Sequence, residues 1–403
     1  MLDRTAILEA AERVRETSRH TPLSYSYTYS NMTGAEVHLK LENFQRTGAF
    51  KIRGATNRIQ TLSPDEQAAG VVTASAGNHA QGVALAATRA GVDSKIVMPE
   101  NAPISKIKAT QSYGAEVVLS GADYDEAAER AHEIEREEGR TYVHAFDDEY
   151  VMAGQGTIGL EILEDCPDVD TVVVPIGGGG LISGIATAIK AEKPDTRIIG
   201  VQSAGASSVA SSLEKGEVVS LDGVDTIADG IATRSVGEKT FPIIQERVDE
   251  VVTVTDEQIA MAVVHLLERS KTVVEGAGAV SLAALLFDRF EYEPGEVIVP
   301  ALCGGNIDLN MLTTVIVRGL VETGRYLKIR TVLKDRPGSL EDLLAILSGH
   351  RANIYAIQHD RTSRDIGMSD TEVEIDLETR GHDHVDELLE ALESEGYAVE
   401  VLV

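Results

Sequence analysis

An α/β fold built on parallel sheets, followed by a smaller antiparallel unit, is what this sequence predicts. Two patterns carry that expectation. Through most of the chain, short β-branched runs such as 171–174 and 297–299 alternate with helical stretches, and each strand hands over to a turn of small residues. That alternation suits parallel strands buried on both faces and wrapped by helices. Near Thr323-Gly324 the order changes to strand, helix, strand, strand, helix, strand, the ferredoxin-like arrangement. A chain of 403 residues exceeds one ordinary core and has room for two or three such units.

In order, residues 4–18 read as an amphipathic helix stopped at Thr21-Pro22, and 37–41 alternate as a strand. A helix running to Leu62 follows Lys51, with Ser63-Pro64 as its stop. The strand, turn and helix unit then recurs. Strand 70–74 leads through Ser75-Ala76-Gly77-Asn78 into helix 79–89, strand 95–98 into helix 103–113, and strand 115–119 into helix 123–138. Strand 171–175 enters the tetraglycine at 177–180 and helix 181–192. Residues 197–202 and 296–300 are further strands, the latter leading to Cys303-Gly304-Gly305-Asn306. The C-terminal unit runs through strand 326–333, the turn Asp335-Arg336-Pro337-Gly338, helix 339–348, strands 353–359 and 371–377, helix 384–395 and strand 397–403. The expected organisation is a catalytic part, 1–323, with a smaller lobe at about 43–150 inserted between 1–42 and 151–323. A separate domain at 325–403 follows.

Composition narrows the function classes. The net charge is −29, with 65 acidic against 36 basic residues, only 12 of them lysine. The acid is spread rather than held in one tail, since 325–403 carries 17 acidic and 9 basic side chains. An acidic, lysine-poor surface suits a halophilic cytoplasm, where salt screens its self-repulsion; an ordinary acidic enzyme is the plainer reading. Polyanion binding needs basic patches and none is visible, so nucleic acid is not an expected partner. No apolar run is long enough for a bilayer, and the first residues show no signal-peptide stretch, so a cytoplasmic protein is expected. Two distant cysteines, Cys166 and Cys303, exclude a disulfide framework and a CxxC metal site.

Two segments carry chemistry in their residue types. Lys51 lies between Phe50 and Ile52 and beside Arg53. Burial and a neighbouring cation both disfavour the ammonium form, which turns a lysine into a nucleophile toward an aldehyde. Most lysines with apolar neighbours only lay their stems along them, so the segment alone decides little. The tetraglycine sits between a strand and a helix, where bare backbone and a helix N-terminus favour a phosphate. A dinucleotide fingerprint does not fit: Ser183 stands where its third glycine belongs, and strand 197–202 ends in Gln202 rather than an acid. A P-loop lysine is absent. A lysine amine with a phosphate cradle and no nucleotide features points to pyridoxal 5'-phosphate.

With these segments, Ser75-Ala76-Gly77-Asn78-His79-Ala80-Gln81-Gly82 and Cys303-Gly304-Gly305-Asn306 complete four collinear motifs. Together they resemble the serine/threonine dehydratase family of fold type II pyridoxal-phosphate enzymes, which are tryptophan synthase β-like with two parallel-sheet lobes. The C-terminal unit, with its Asp-Arg-Pro-Gly turn, resembles an ACT domain. The resemblance spans nearly the whole chain. It implies that Lys51 carries the cofactor and then takes the substrate Cα proton, and that Phe50 lies beside the cofactor ring. It implies that Asn78 bonds the ring oxygen, while Gly177, Gly178, Gly179, Gly180 and Leu181 hold the phosphate. Ser75, Gly77, Asn78 and His79 would hold the substrate carboxylate end, although a histidine in a first helical turn is as often a packing residue. Cys303 would face the pyridine nitrogen as a neutral partner, favouring elimination over transamination. Glu275, in Val274-Glu275-Gly276, is a further active-site candidate that could equally cap a helix. Cys166 reads as a small buried hydrophobe.

Two departures from relatives narrow the activity. Serine racemases of this family place a serine where this chain has Ala76, which has no proton to give, so racemisation is disfavoured. Some relatives bind a divalent cation through an acid at the position of Gln202, so no dedicated metal is expected here, Asp229 being the acid left nearby. The implied activity is a threonine dehydratase (threonine ammonia-lyase) reaction, with L-serine as a second substrate. The implied partners are a small amino-acid effector at the ACT unit and further copies of the chain, as a dimer or tetramer. A serine dehydratase is the rival within enzymes, separable by kcat/KM for the two amino acids. An amino-acid sensor that has lost activity is the rival outside them, and bound cofactor without turnover would mark it.

Overall fold

The computed structural model describes residues 2–361 and 367–403. Met1, the first residue of the amphipathic start, and 362–366, within the expected C-terminal domain, lie outside the described residues. The chain divides into two compact units, Met1–Asp308 and Leu309–Val403.

The first unit contains two sheets. A six-stranded sheet runs in the order Leu23–Tyr25, Glu36–Lys40, Val297–Pro300, Thr171–Pro175, Arg197–Ser203, Glu250–Val254. Only the edge pair Leu23–Tyr25 with Glu36–Lys40 is antiparallel. A four-stranded parallel sheet runs Glu116–Leu119, Ser94–Met98, Val71–Ala74, Thr141–Tyr142. Central strands are buried throughout and mostly apolar because helices cover both faces: every residue of Val71–Ala74 and Thr171–Pro175 is buried. Parallel sheets wrapped by helices agree with the expected fold class.

Local chemistry explains several differences from the sequence expectation. Ser63-Pro64 does not merely stop a helix. It starts a new one, Pro64–Ala69, with a reciprocal capping box between Ser63 and Glu66 and proline in the first turn. The N-terminal helix, Arg4–Val14, ends earlier than 18, and Asp3 caps its start through the N–H of Ala6. Helix Glu149–Asp165 has no counterpart in the sequence reading, because its glycines hide it. They allow close packing: a Cβ at Gly154 would stand 2.6 Å from the carbonyl of Arg53, and one at Gly156 2.9 Å from that of Gly184.

The second unit begins with helix Leu309–Glu322, which leads into strand Tyr326–Lys334. The sequence expectation reads no helix there and assigns residues 309–323 to the catalytic part. Its antiparallel sheet runs Asn353–Asp360, Asp370–Glu378, Tyr326–Lys334, Val399–Val401, with helices Ser339–Gly349 and His382–Ser394. Leu343, Leu347, Leu388 and Leu392 of those helices close on Ile329, Val373, Ile375 and Leu377 of the sheet. The alternation in Tyr326–Lys334 and Asp370–Glu378 thus has one face in a core.

Candidate functional site

The candidate site is built from the C-terminal ends of parallel strands, where an open α/β sheet leaves its crevice. Strand Val71–Ala74 delivers Ser75 to Asn78, strand Thr171–Pro175 delivers the tetraglycine, and strand Val297–Pro300 delivers Cys303 to Asn306. Lys51 opens helix Lys51–Gln60 immediately after a bridge between Ala49 and Gly304, and the N–H of Phe50 donates to the carbonyl of Cys303 at 3.2 Å. The lysine and Cys303 segments are therefore stitched together by main-chain bonds.

The amine of Lys51 donates to the carbonyl of Ala145 at 2.9 Å and lies 5.1 Å from the centre of the Phe50 ring. Desolvation lowers its pKa to about 8, and the Glu275 carboxylate opposes that shift. Arg53 takes no part in that shift, which corrects the expectation from its adjacency. Its guanidinium is buried in an ion cluster, bonded to Glu42 at 2.8 Å and to Glu161 at 2.6 Å, while Lys40 holds the second oxygen of Glu161 at 2.7 Å.

The tetraglycine is a cradle that side chains would fill. A Cβ at Gly177 would come within 2.9 Å of Ile231, one at Gly180 within 2.8 Å of the carbonyl of Phe146, and one at Gly178 would overlap the Phe146 ring. Gly179 adopts φ 93°, a left-handed conformation, and caps helix Gly180–Glu192, in which Leu181 is the second residue. Thr240 secures the loop by donating its hydroxyl to the carbonyl of Gly178 at 2.7 Å, and Asp147 accepts from the N–H of Lys239 at 2.8 Å. A buried amine with a depressed pKa and a backbone-only cradle at a helix start are the donor set that pyridoxal phosphate requires, so the residues present fit it.

Around them, the Ser75 hydroxyl accepts from the N–H of Gly77 at 3.2 Å, which leaves its proton to give. Gly77 borders open space, for a Cβ there would meet nothing within 4 Å. Ala76 packs on the core beside it. The Asn78 amide donates to Glu275 at 2.7 Å, so these two candidates are in direct contact. Burial raises the Glu275 pKa, opposed by Lys106 and Asn78. Cys303 is a buried free thiol, 3.4 Å from the carbonyl of Ala277, and burial pushes its pKa well up, so it is neutral. His79 is turned inward: its Nε2 meets the carbonyl of Val143 at 2.9 Å, and burial, then the charge of Lys51, holds its pKa down to about 3. That imidazole is neutral and serves the packing of the four-stranded sheet. Gln202 spends its carbonyl on the N–H of Val209 at 2.8 Å, and burial raises the pKa of Asp229.

Sequence reasoning missed four residues at the site. Asn306 closes the Cys303-Gly304-Gly305 run with no role implied by its motif, yet its amide bonds Thr47 and Asn78. Ala145 acts through its backbone, which no side-chain pattern reveals. Thr240 and Lys106 reach the site only through tertiary folding, the latter by donating to the carbonyl of Asn306 at 2.8 Å.

A family profile described as pyridoxal-phosphate dependent enzyme matches residues 14–304. The chain is 52% identical over 402 residues to an L-threonine ammonia-lyase of Geobacter sulfurreducens, covering 100% of both. It is 47% identical over 396 residues to one of Thermotoga maritima, covering 98% of each. Among solved structures it is similar to the processed form of threonine deaminase isoform 2 from Solanum lycopersicum, with TM-score 0.75 and 41% identity over 77% of this chain and 86% of that one. It is also similar to maize serine racemase, with TM-score 0.75 and 38% identity over 80% and 98%.

Proposed function

The chain belongs to the pyridoxal-phosphate dependent enzyme family, and on that premise we propose that it is a threonine ammonia-lyase, releasing 2-oxobutanoate and ammonia from L-threonine, with L-serine as a second substrate giving pyruvate. The full-length similarity to L-threonine ammonia-lyases carries the substrate, and the setting of Lys51 supports the chemistry. When bound, pyridoxal phosphate supplies an electron sink for the pair left at the substrate Cα, which lets the β-hydroxyl depart.

The chain's residues then have separable tasks. Lys51, with its amine largely neutral above about pH 8, takes the proton from Cα. Ser75 and Gly77 hold the substrate carboxylate by hydroxyl and main-chain donors. Gly177 to Leu181 hold the phosphate, and Phe50 and Asn78 set the cofactor's place. The neutral thiol of Cys303 gives the ring nitrogen no anionic partner, which favours elimination. Ala76 cannot return a proton to the opposite face, so racemisation is not part of the activity. Replacing Lys51 by alanine tests the assignment: loss of both the cofactor absorbance and 2-oxo acid release is expected, and retention of both contradicts it.

The second unit is read as an ACT regulatory domain, supported by its βαββαβ order. Gly338, at φ 96°, caps helix Ser339–Gly349 and borders open space, a setting suited to the carboxylate of a small amino acid. Such an effector acts through the difference in its affinity for two quaternary states of a homo-oligomer. Sedimentation with and without isoleucine, valine and threonine tests this, and a profile unmoved by all three contradicts it. The acidic composition is read as adaptation to a salt-rich cytoplasm.

A further inference from the structure

The side-chain amides around Asn78 form a chain with one polarity, fixed at its far end. The carbonyl of Thr47 can only accept, so the amide nitrogen of Asn306 faces it, at 2.6 Å. The same nitrogen donates to Oδ1 of Asn78 at 2.8 Å. Asn78 is thereby left with its own NH2 pointing to Glu275, at 2.7 Å. Flipping either amide would set two acceptors or two donors against each other. The backbone makes room for this arrangement: Gly48, at φ 72°, lies so close that any side chain there would overlap the amide of Asn306.

Asn306 is held from the other sheet. It follows strand Val297–Pro300 of the six-stranded sheet, whereas Lys106 sits on helix Ile104–Ser112, between strands Ser94–Met98 and Glu116–Leu119 of the four-stranded one. The Lys106 ammonium donates to the main-chain carbonyl of Asn306 at 2.8 Å. It is also the leading opposing charge for both Glu275 and Asp229.

We propose that Lys106 and Asn306 are positioning residues: Lys106 anchors Asn306 across the two sheets, and Asn306 locks the Asn78 amide with its NH2 toward Glu275 and the cofactor. The proposal rests on the reading of Asn78 as a cofactor-facing residue. It makes the orientation of Asn78 depend on how the two sheets meet, so a site assembled from both reaches full activity only when the Lys106 bond is made.

Three variants test it: Asn306→Asp, Lys106→Met and Lys106→Arg. Affinity for pyridoxal phosphate is read by absorbance titration of the cofactor-free protein, and kcat and KM are measured on the loaded one. An aspartate at 306 cannot donate to Thr47 or Asn78. Weaker cofactor binding by about tenfold or more, with a displaced absorbance band, is therefore expected for Asn306→Asp. For Lys106→Met, kcat should fall by about tenfold with a smaller change in KM, and Lys106→Arg should recover most of it. Should Asn306→Asp fail to fold, the Lys106 pair decides. Wild-type affinity, absorbance and kcat in Asn306→Asp and Lys106→Met would overturn the proposal, as would equal losses in Lys106→Met and Lys106→Arg. An effect of Asn306→Asp without one of Lys106→Met would overturn the anchoring role. If the wild-type protein released no 2-oxo acid from threonine, the functional reading would fall, while affinity and absorbance would still decide this proposal.

Discussion

The amine of Lys51 donates to the main-chain carbonyl of Ala145 at 2.9 Å, which ties the start of helix Lys51–Gln60 to the segment beyond strand Thr141–Tyr142. Its pKa of about 8, lowered by desolvation, sets the pH at which cofactor-free protein can reload. Only the neutral amine attacks an aldehyde, so the reloading rate should rise as pH increases through about 8. Glu275 opposes the shift, because a carboxylate favours the ammonium form. Glu275→Gln should therefore move the midpoint to lower pH. Stopped-flow absorbance across the pH range reads both, and a midpoint that stays put or rises in the variant contradicts the electrostatic role.

Arg53 belongs to the stability of the fold. Removing it strands the buried carboxylate of Glu42 and weakens the compensation of Glu161. Breaking a buried pair in this way costs about 3–5 kcal/mol. Arg53→Met should lower the urea midpoint accordingly, and a midpoint unchanged from wild type would contradict it. The Glu161 pKa is lowered overall: burial raises it, but Arg53 and then Lys40 more than offset that. Its contribution is thus present above the ordinary carboxylate pKa and lost as pH falls through the lower folded value.

That cluster also shows where the sequence stopped being informative. Adjacency suggested that Arg53 would act on Lys51, yet a helix turns residues two apart to different faces, and Arg53 meets Glu42 and Glu161 instead. Motifs made of side chains and strand ends were legible, which is why Lys51, Asn78, the tetraglycine and Cys303 could be named. Alternation in Tyr326–Lys334 and Asp370–Glu378 was legible because only one face of that sheet is packed. Helix Glu149–Asp165 was not, since it is buried nearly all round and carries three glycines, so it has neither amphipathic period nor helical composition. Lys106 and Thr240 carry no local mark of function, because their partners lie on other segments.

The phosphate cradle depends on backbone approach. Gly180→Ala would bring a Cβ to 2.8 Å from the Phe146 carbonyl, a main-chain atom that cannot swing aside. Overpacking of this kind costs about 1–3 kcal/mol, which should appear as a weaker affinity for pyridoxal phosphate in absorbance titration. Full wild-type affinity in Gly180→Ala would contradict the cradle.

A net charge of −29 repels itself at low ionic strength. The screening length falls from about 10 Å at 0.1 M to about 3 Å at 1 M salt, so the melting temperature should rise steeply with potassium chloride over that range. A flat or falling dependence would identify an ordinary acidic enzyme instead of a halophilic one.

The most direct measurement is 2-oxo acid release from L-threonine and L-serine, side by side, with added pyridoxal phosphate in concentrated potassium chloride. Rapid release of 2-oxobutanoate, with slower formation of pyruvate from serine, is the expected result. Folded protein that binds the cofactor yet releases neither product would contradict the ammonia-lyase assignment.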